Sequence, residues 1–338
     1  MTEPLQPTRI RQIILDVYPA FGLLAAIELG VFTALDAGEA TVDEAALRIG
    51  VEPVRLSQLL SLLVDAGLLE HAGGRFRNTA ETGRFLVRDR PTYIGGMHEL
   101  WRQIWTGAMQ TAGSIAERAP RRRWMSLPDA DKQSYLRGLG VLSRTIGQEL
   151  TERWDLRSYR SLVDVAGGSG ALVQAVLEQV PGMRGAVIEH PVTVGVTRKL
   201  LEEQGATDRV EVIAADVVDG ELTGRWDVAV VRNFIQMLTE EEAQRALVNI
   251  GRIVEPGGCL IICDMVLDDD RLGPRGVLRL GIIFVNFFDR SPMYTDSQYR
   301  RWLERAGFGD IERVQSPIGH VILRARKLPE DAAGRHAT

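Results

Sequence analysis

The sequence predicts a doubly wound α/β domain preceded by a mostly helical domain that carries a winged-helix pattern. Three observations support this. Ser161–Ala171 reads as a buried strand, a glycine-rich turn and a helix start. Further apolar strands follow at α/β spacing, several ending in a charged residue. Residues 10 to 150 are instead helical in pattern, interrupted by one small hairpin.

The early residues Ile13, Ile14, Val17, Tyr18, Phe21, Leu23 and Leu24 form an apolar stretch that suits either a dimer interface or a monomer's core. Thr41 with Glu44 three residues on is a capping-box pattern. Pro53 opens a helix through Ala66 with Leu56, Leu59, Leu60 and Leu63 on one face. A hairpin around Gly73–Gly74 then returns through Arg75–Phe76–Arg77. Helix, helix and hairpin in that order predict a winged helix, which raises a DNA-binding regulator as the rival class. Residues 1–100 hold nine Lys and Arg against thirteen Asp and Glu, a net of -4. A DNA-contacting module needs a basic face, so charge opposes the rival. Four arginines at 118–123 mark a linker, either a solvated turn or a phosphate site, giving expected domains at 1–120 and 121–327. The tail 328–338 reads as disordered.

In the second half, Leu162, Val163 and Val165 are the apolar run of a strand covered on both faces. Gly167, Gly168 and Gly170 permit a tight turn and close ligand approach. The next helix runs to Val180 and stops at Pro181–Gly182. Neither the G-x-G-x-x-G fingerprint nor the phosphate-cradling G-x-x-x-x-G-K-[ST] loop is present. The turn instead fits the amino-acid and ribose parts of a nucleoside cofactor. Ala186–Glu189 is the second strand, placing Glu189 for two ribose hydroxyls. Val210–Asp216 is the third, with Asp216 placed for an adenine amino group. Trp226–Arg232, Cys259–Asp264, Ile311–Val314 and His320–Ala325 complete the sheet, with a helix over Ser297–Ala306.

Composition narrows the function classes. The 338 residues carry a net charge of -5 and 45% hydrophobic residues, enough for ordinary cores without attraction to nucleic acid. The sequence reads as having no apolar run long enough for a membrane span and no signal pattern, so a cytoplasmic enzyme without a membrane partner is expected. Two cysteines, Cys259 and Cys263, suit reduced core positions on a strand rather than a metal site or disulfide framework.

The segment Asp164-x-Ala166-Gly167-Gly168-Ser169-Gly170 resembles the D-x-G-G-G-x-G motif of the S-adenosylmethionine-dependent small-molecule O-methyltransferases, with alanine for the first glycine. That family includes the caffeate, hydroxyindole and polyketide enzymes, and the resemblance runs from about Ala25 to Arg326. It implies a Rossmann-like class I methyltransferase domain behind a winged-helix dimerisation domain, an intertwined homodimer, and S-adenosylmethionine as cofactor. Asp164 and the Gly167–Gly170 turn would then approach the methionine part, Glu189 the ribose, and Asp216 with Val217 the adenine. Arg232 stands where the family usually has a lysine near the cofactor.

The resemblance also implies where the catalytic base belongs. After the strand ending at Arg232 the family reads like L-K-x-x-L-H-D-W, and its histidine takes the acceptor's proton. Here Gln236–Met237–Leu238 replaces H-D-W, and glutamine cannot take a proton. Thr239 with Glu242 is a capping box that keeps this register. Asp264, twenty-eight residues after Gln236, keeps the first supporting acid, while Met293 replaces the glutamate of the family's G-x-E-R-T-like loop.

Three readings of the chemistry follow. Methyl transfer to an amine, an activated carbon or an acidic phenol needs little base help, and Asp264 or His98 are substitute bases. A repurposed relative would instead use the bound cofactor for hydroxylation, decarboxylation, cyclisation or pericyclic chemistry. A degenerate, non-catalytic subunit is the bland reading. Met97, His98, Trp101, Trp105 and Met109 share a helical face, and Phe284, Phe287 and Phe288 cluster before the Met293 loop. Each stripe reads as core or as the wall of a pocket for a flat, apolar substrate; in the pocket reading Met97, Trp101, Trp105, Met237, Phe284, Phe288 and Met293 line it. His98 on its own reads as a hydrogen-bonded structural residue ahead of a base.

Overall fold

The computed structural model describes residues 5–90, 92–117, 128–287, 293–317 and 319–329. It divides into two compact units, Met1–Arg102 and Gln103–Thr338.

The first unit begins with α1 (Thr8–Leu15), α2 (Tyr18–Leu29) and α3 (Val31–Asp36). Then come α4 (Val42–Ile49), α5 (Pro53–Asp65), strands β1 (Leu69–Ala72) and β2 (Arg75–Asn78), and α6 (Ala80–Phe85). The Thr41–Glu44 capping box forms in full and starts α4. Phe32, Leu35, Leu56, Leu60, Leu63 and Phe76 build this unit's core, so the expected helix–helix–hairpin order is present. Arg75 pairs with Glu39 and Glu44, and Arg77 with Glu70, so these cations are neutralised locally.

α1 carries no buried residue. Ile10, Ile13, Ile14, Tyr18 and Phe21 expose 45–65% of their surface. Thr8–Leu29 is one helical run of 22 residues whose most apolar 18-residue window has mean hydropathy 1.5, long and apolar enough by those measures to cross a membrane. This corrects the expectation that no such stretch exists. The charges of Arg9, Arg11, Asp16 and Glu28 break the run in sequence, while α1 and α2 join it almost without interruption.

α7 (His98–Ala108) spans the division, and α8 (Thr111–Glu117) follows it. The units therefore divide at Arg102 rather than at 120, because α8 packs against α13 (see below) of the second unit. The arginine linker lies outside the described residues.

The second unit continues with α9 (Asp129–Arg153), β3 (Ser161–Val165), α10 (Ala171–Gln179), β4 (Arg184–Glu189), α11 (Pro191–Glu203) and β5 (Val210–Ala214). After β6 (Trp226–Arg232) come α12 (Glu240–Ile253), β7 (Val254–Asp264), α13 (Arg275–Phe287), α14 (Asp296–Arg305), β8 (Phe308–Gln315) and β9 (Val321–Lys327). The strand order is β5-β4-β3-β6-β7-β9-β8, parallel except for β9, which runs antiparallel to both β7 and β8. One face packs Val163, Val231, Ile262 and Leu323 against α12 and α14. The other packs Leu162, Val230, Ile261 and Ile322 against α9 and α10. Cys259 and Cys263 are free thiols buried on that second face, as expected. The expected tail lies outside the described residues from 330 onward, whereas Leu328 N–H still donates to Gly307 O.

Candidate active site

The strand order reverses between β3 and β6, and the crevice beyond their carboxyl ends is where open α/β sheets take ligands. The glycine turn leaves β3 there. Gly168 and Gly170 adopt φ of +56° and +71°, and Ala166 is held at +56°, a region that costs an L-residue about 1–2 kcal/mol. At Gly167 an added Cβ would lie 2.6 Å from Asp164 Cγ, so only glycine lets the turn close over that carboxylate.

The cofactor-site candidates gather round this turn. Glu189 is buried, and its two oxygens accept Gly168 N–H and His190 N–H, each at 2.9 Å. Burial raises its pKa against those two bonds. Each oxygen keeps a second lone pair for a hydroxyl donor. Asp216 follows β5 and accepts Val218 N–H at 2.8 Å, with its other oxygen 3.8 Å from His190 Nε2. Val217 beside it is buried, and its carbonyl accepts from Asn249.

Asp164 is 2% exposed and Arg232 9%, and both lie on the sheet face covered by α9. Asp164 Oδ1 and Arg232 Nε and Nη2 have no hydrogen-bond partner. Burial pushes the Asp164 carboxyl up to about 7, opposed by Arg232 and reinforced by Glu189. Burial likewise lowers the Arg232 pKa. A carboxylate and a guanidinium, each desolvated and each with unmet hydrogen bonds, suit a ligand that carries both an ammonium and a carboxylate.

The acceptor side is built from the turn after β6. Gln236 is 1% exposed; its backbone N–H donates to Asp264 Oδ2 at 3.1 Å, and its Oε1 accepts Met265 N–H at 2.6 Å. Tyr299 O–H donates to the same Asp264 oxygen at 2.8 Å. Asp264 has no exposed surface, and burial raises its carboxyl to about 6 against those donors. The capping box Thr239–Glu242 starts α12 directly after this turn. Met237 packs on the adjoining core, Phe284 is buried in it, and Met293 lies against Gly281 of α13. Met293 sits at φ +46°, with its carbonyl accepting from Arg271 at 3.2 Å. Tyr294 O–H ties this loop to Leu238 O at 2.7 Å, so the Gln236 turn and the Met293 loop are joined.

The remaining candidates are more scattered. Met97, His98 and Trp101 belong to the first unit and Trp105 to the second, all half-buried. A ring nitrogen of His98 lies 3.1 Å from Gly95 O, a bond within its own turn. Phe288 lies outside the described residues. Sequence reasoning missed Ser143, whose Oγ accepts from Arg232 Nη1 at 2.9 Å, and the buried His320. One signal pointed to the first: Gly140 and Gly147 on α9 let that helix approach Ser169 and α10 closely.

Comparison with known proteins agrees with this geometry. Residues 125–309 match the O-methyltransferase domain, and residues 18–89 the O-methyltransferase dimerisation domain. A 3-hydroxy-5-methyl-1-naphthoate 3-O-methyltransferase from Streptomyces sahachiroi is 28% identical over 320 residues, 91% of each chain. An N,N-dimethyltransferase from Streptomyces rimosus is 27% identical, covering 96% of this chain and 99% of its own. The fold matches human N-acetylserotonin methyltransferase in complex with its cofactor at a TM-score of 0.79, with 21% identity over 97% of this chain and 100% of that one. The chain belongs to the O-methyltransferase family and is a methyltransferase that uses S-adenosylmethionine.

Proposed function

We propose that this protein transfers a methyl group to a small, largely apolar or aromatic molecule of natural-product type, without a side-chain base at position 236. The observation that carries this reading is the Gln236 side chain. Its carbonyl is spent on Met265 N–H at a residue that is 1% exposed, and a primary amide takes no proton at any relevant pH.

Bound S-adenosylmethionine supplies an electrophilic methyl group on a sulfonium centre. In this reading Asp164 faces its ammonium, Arg232 its carboxylate, Glu189 the ribose hydroxyls, and Asp216 with Val217 the adenine. Asp264 holds the Gln236 turn through its backbone N–H and Tyr299, an anchoring role that its complete burial favours over proton abstraction from a substrate. Rate enhancement then comes mainly from holding the nucleophile in line with the methyl group. Acceptors that suit such a site are amines, activated carbons and acidic phenols. An amine attacks through its neutral lone pair and sheds its proton afterwards, and the Streptomyces rimosus relative is named for N,N-dimethylation. Within the second unit, Met237, Phe284 and Met293, with Trp105, are the candidate pocket wall. The exposed apolar residues of α1 and α2 suit an interface with a second copy, in keeping with the dimerisation domain.

Gln236 and Met293, standing where the family pattern has a histidine and a glutamate, favour a second reading, in which the cofactor assists a reaction without losing its methyl group. Incubating phenol, amine and carbon acceptors with methyl-labelled cofactor separates the two. Label in the product supports transfer; product formed without label overturns it. On a phenol of ordinary pKa, Gln236→His should raise the rate, and no gain would show that deprotonation is not what the wild-type site lacks.

A further inference from the structure

Arg232 leaves β6 on the face covered by α9, where Asp164, Cys263 and Ile322 lie on neighbouring strands. Its Nη1 donates to Ser143 Oγ, the one hydrogen bond that fixes the guanidinium among the described residues. The Ser143 hydroxyl has no freedom in how it makes this contact. Its own proton goes to Leu139 O at 3.1 Å, one turn back along α9, so only a lone pair is left to face Arg232. With Nη1 taken, the atoms left over are Nε and Nη2. Those two N–H bonds are parallel, the edge with which a guanidinium grips a carboxylate in bidentate fashion.

We propose that Ser143 is a positioning residue for cofactor binding: it locks Arg232 so that the Nε–Nη2 edge receives the α-carboxylate of S-adenosylmethionine. His320, 4% exposed and with Nδ1 unpartnered, directly precedes β9 and is close enough to Arg232 to feel its charge. Burial first, and Arg232 second, push its pKa down to about 3, so it brings no second positive charge to compete for the carboxylate. This inference rests on the assignment of S-adenosylmethionine as cofactor and concerns its amino-acid end alone.

The test compares two ligands that share the nucleoside and differ at that end. S-adenosylhomocysteine carries the carboxylate and 5′-methylthioadenosine does not. Calorimetric titration of the full chain should show Ser143→Ala weakening S-adenosylhomocysteine about tenfold, as expected for a misaligned charge-assisted pair, with methylthioadenosine changed less than twofold. In an Arg232→Lys background, which removes the fork, Ser143→Ala should have little further effect on S-adenosylhomocysteine. Equal losses for both ligands, unchanged S-adenosylhomocysteine affinity, or fully additive effects in the double variant would overturn the proposal. If wild-type protein binds neither ligand, the cofactor assignment itself fails, an outcome distinct from these. Circular dichroism and melting of each variant check folding, and should Ser143→Ala not fold, Ser143→Cys, a weaker acceptor of similar size, carries the same comparison.

Discussion

Replacing Gln236 with methionine tests whether this residue holds the active-site turn together. Methionine keeps the length and approximate volume of the side chain and deletes its amide. Among the interactions lost is Met265 N–H to Gln236 Oε1, at 2.6 Å and inside a residue that is 1% exposed. Met265 is itself only 7% exposed, so the variant bears the cost of an orphaned buried donor, about 1–3 kcal/mol. A shape-conserving swap adds under about 1.5 kcal/mol for imperfect packing. Gln236→Met should therefore lose about 2–4 kcal/mol, and Gln236→Ala more, because it also leaves a cavity. Urea denaturation followed by circular dichroism, with the slope checked for two-state behaviour, measures the loss. A Gln236→Met variant within about 0.5 kcal/mol of wild type, the usual scatter of surface substitutions, would refute the structural role.

Two further outcomes follow from the cofactor turn. Ala166→Gly should stabilise the protein, because relief of the +56° φ, about 1–2 kcal/mol, exceeds the unfolded-state entropy glycine adds, about 0.5–1 kcal/mol; a lower denaturation midpoint would show that the methyl group packs usefully. Asp164, raised to about 7, binds more protons folded than unfolded, so its contribution to ligand-free stability is full below its unfolded pKa of 3.8 and falls as pH rises toward 7. Asp264, raised to about 6, acts in the same direction. A cationic ligand facing Asp164 favours its ionised form, so binding of S-adenosylhomocysteine at pH 6 should release close to one proton, and at pH 8 almost none. Calorimetry in buffers of different ionisation enthalpy reads this directly, and equal proton release at both pH values would remove Asp164 from the ligand's ammonium.

The parts of the fold and of the site that were legible in the sequence are those set by local rules. The capping boxes at Thr41 and Thr239, the strand ahead of Gly167 and the hairpin at Gly73–Gly74 each follow from residues within a few positions of one another, and each formed. Glu189 and Asp216 were placed by strand length alone. The interactions that decide what the site does are long-range. Gln236 meets Met265 across 29 positions, and Arg232 meets Ser143 across 89. Neither partner belongs to a motif: one is a backbone amide, which any residue but proline supplies, and the other is a helical serine that looks like surface until the sheet buries it. The same limit explains the unit boundary, since which unit α8 joins depends on where α13 packs. Position 236 shows the consequence for function. From sequence, glutamine there is a missing base and nothing more. In the fold its side chain makes a hydrogen bond across the β6–β7 edge, so the position carries a structural constraint of its own. Restoring histidine would then act on two quantities at once, adding a base while removing the acceptor for Met265 N–H. Any rate gained by Gln236→His should be accompanied by a stability loss like that of Gln236→Met, unless an imidazole nitrogen takes over the same N–H.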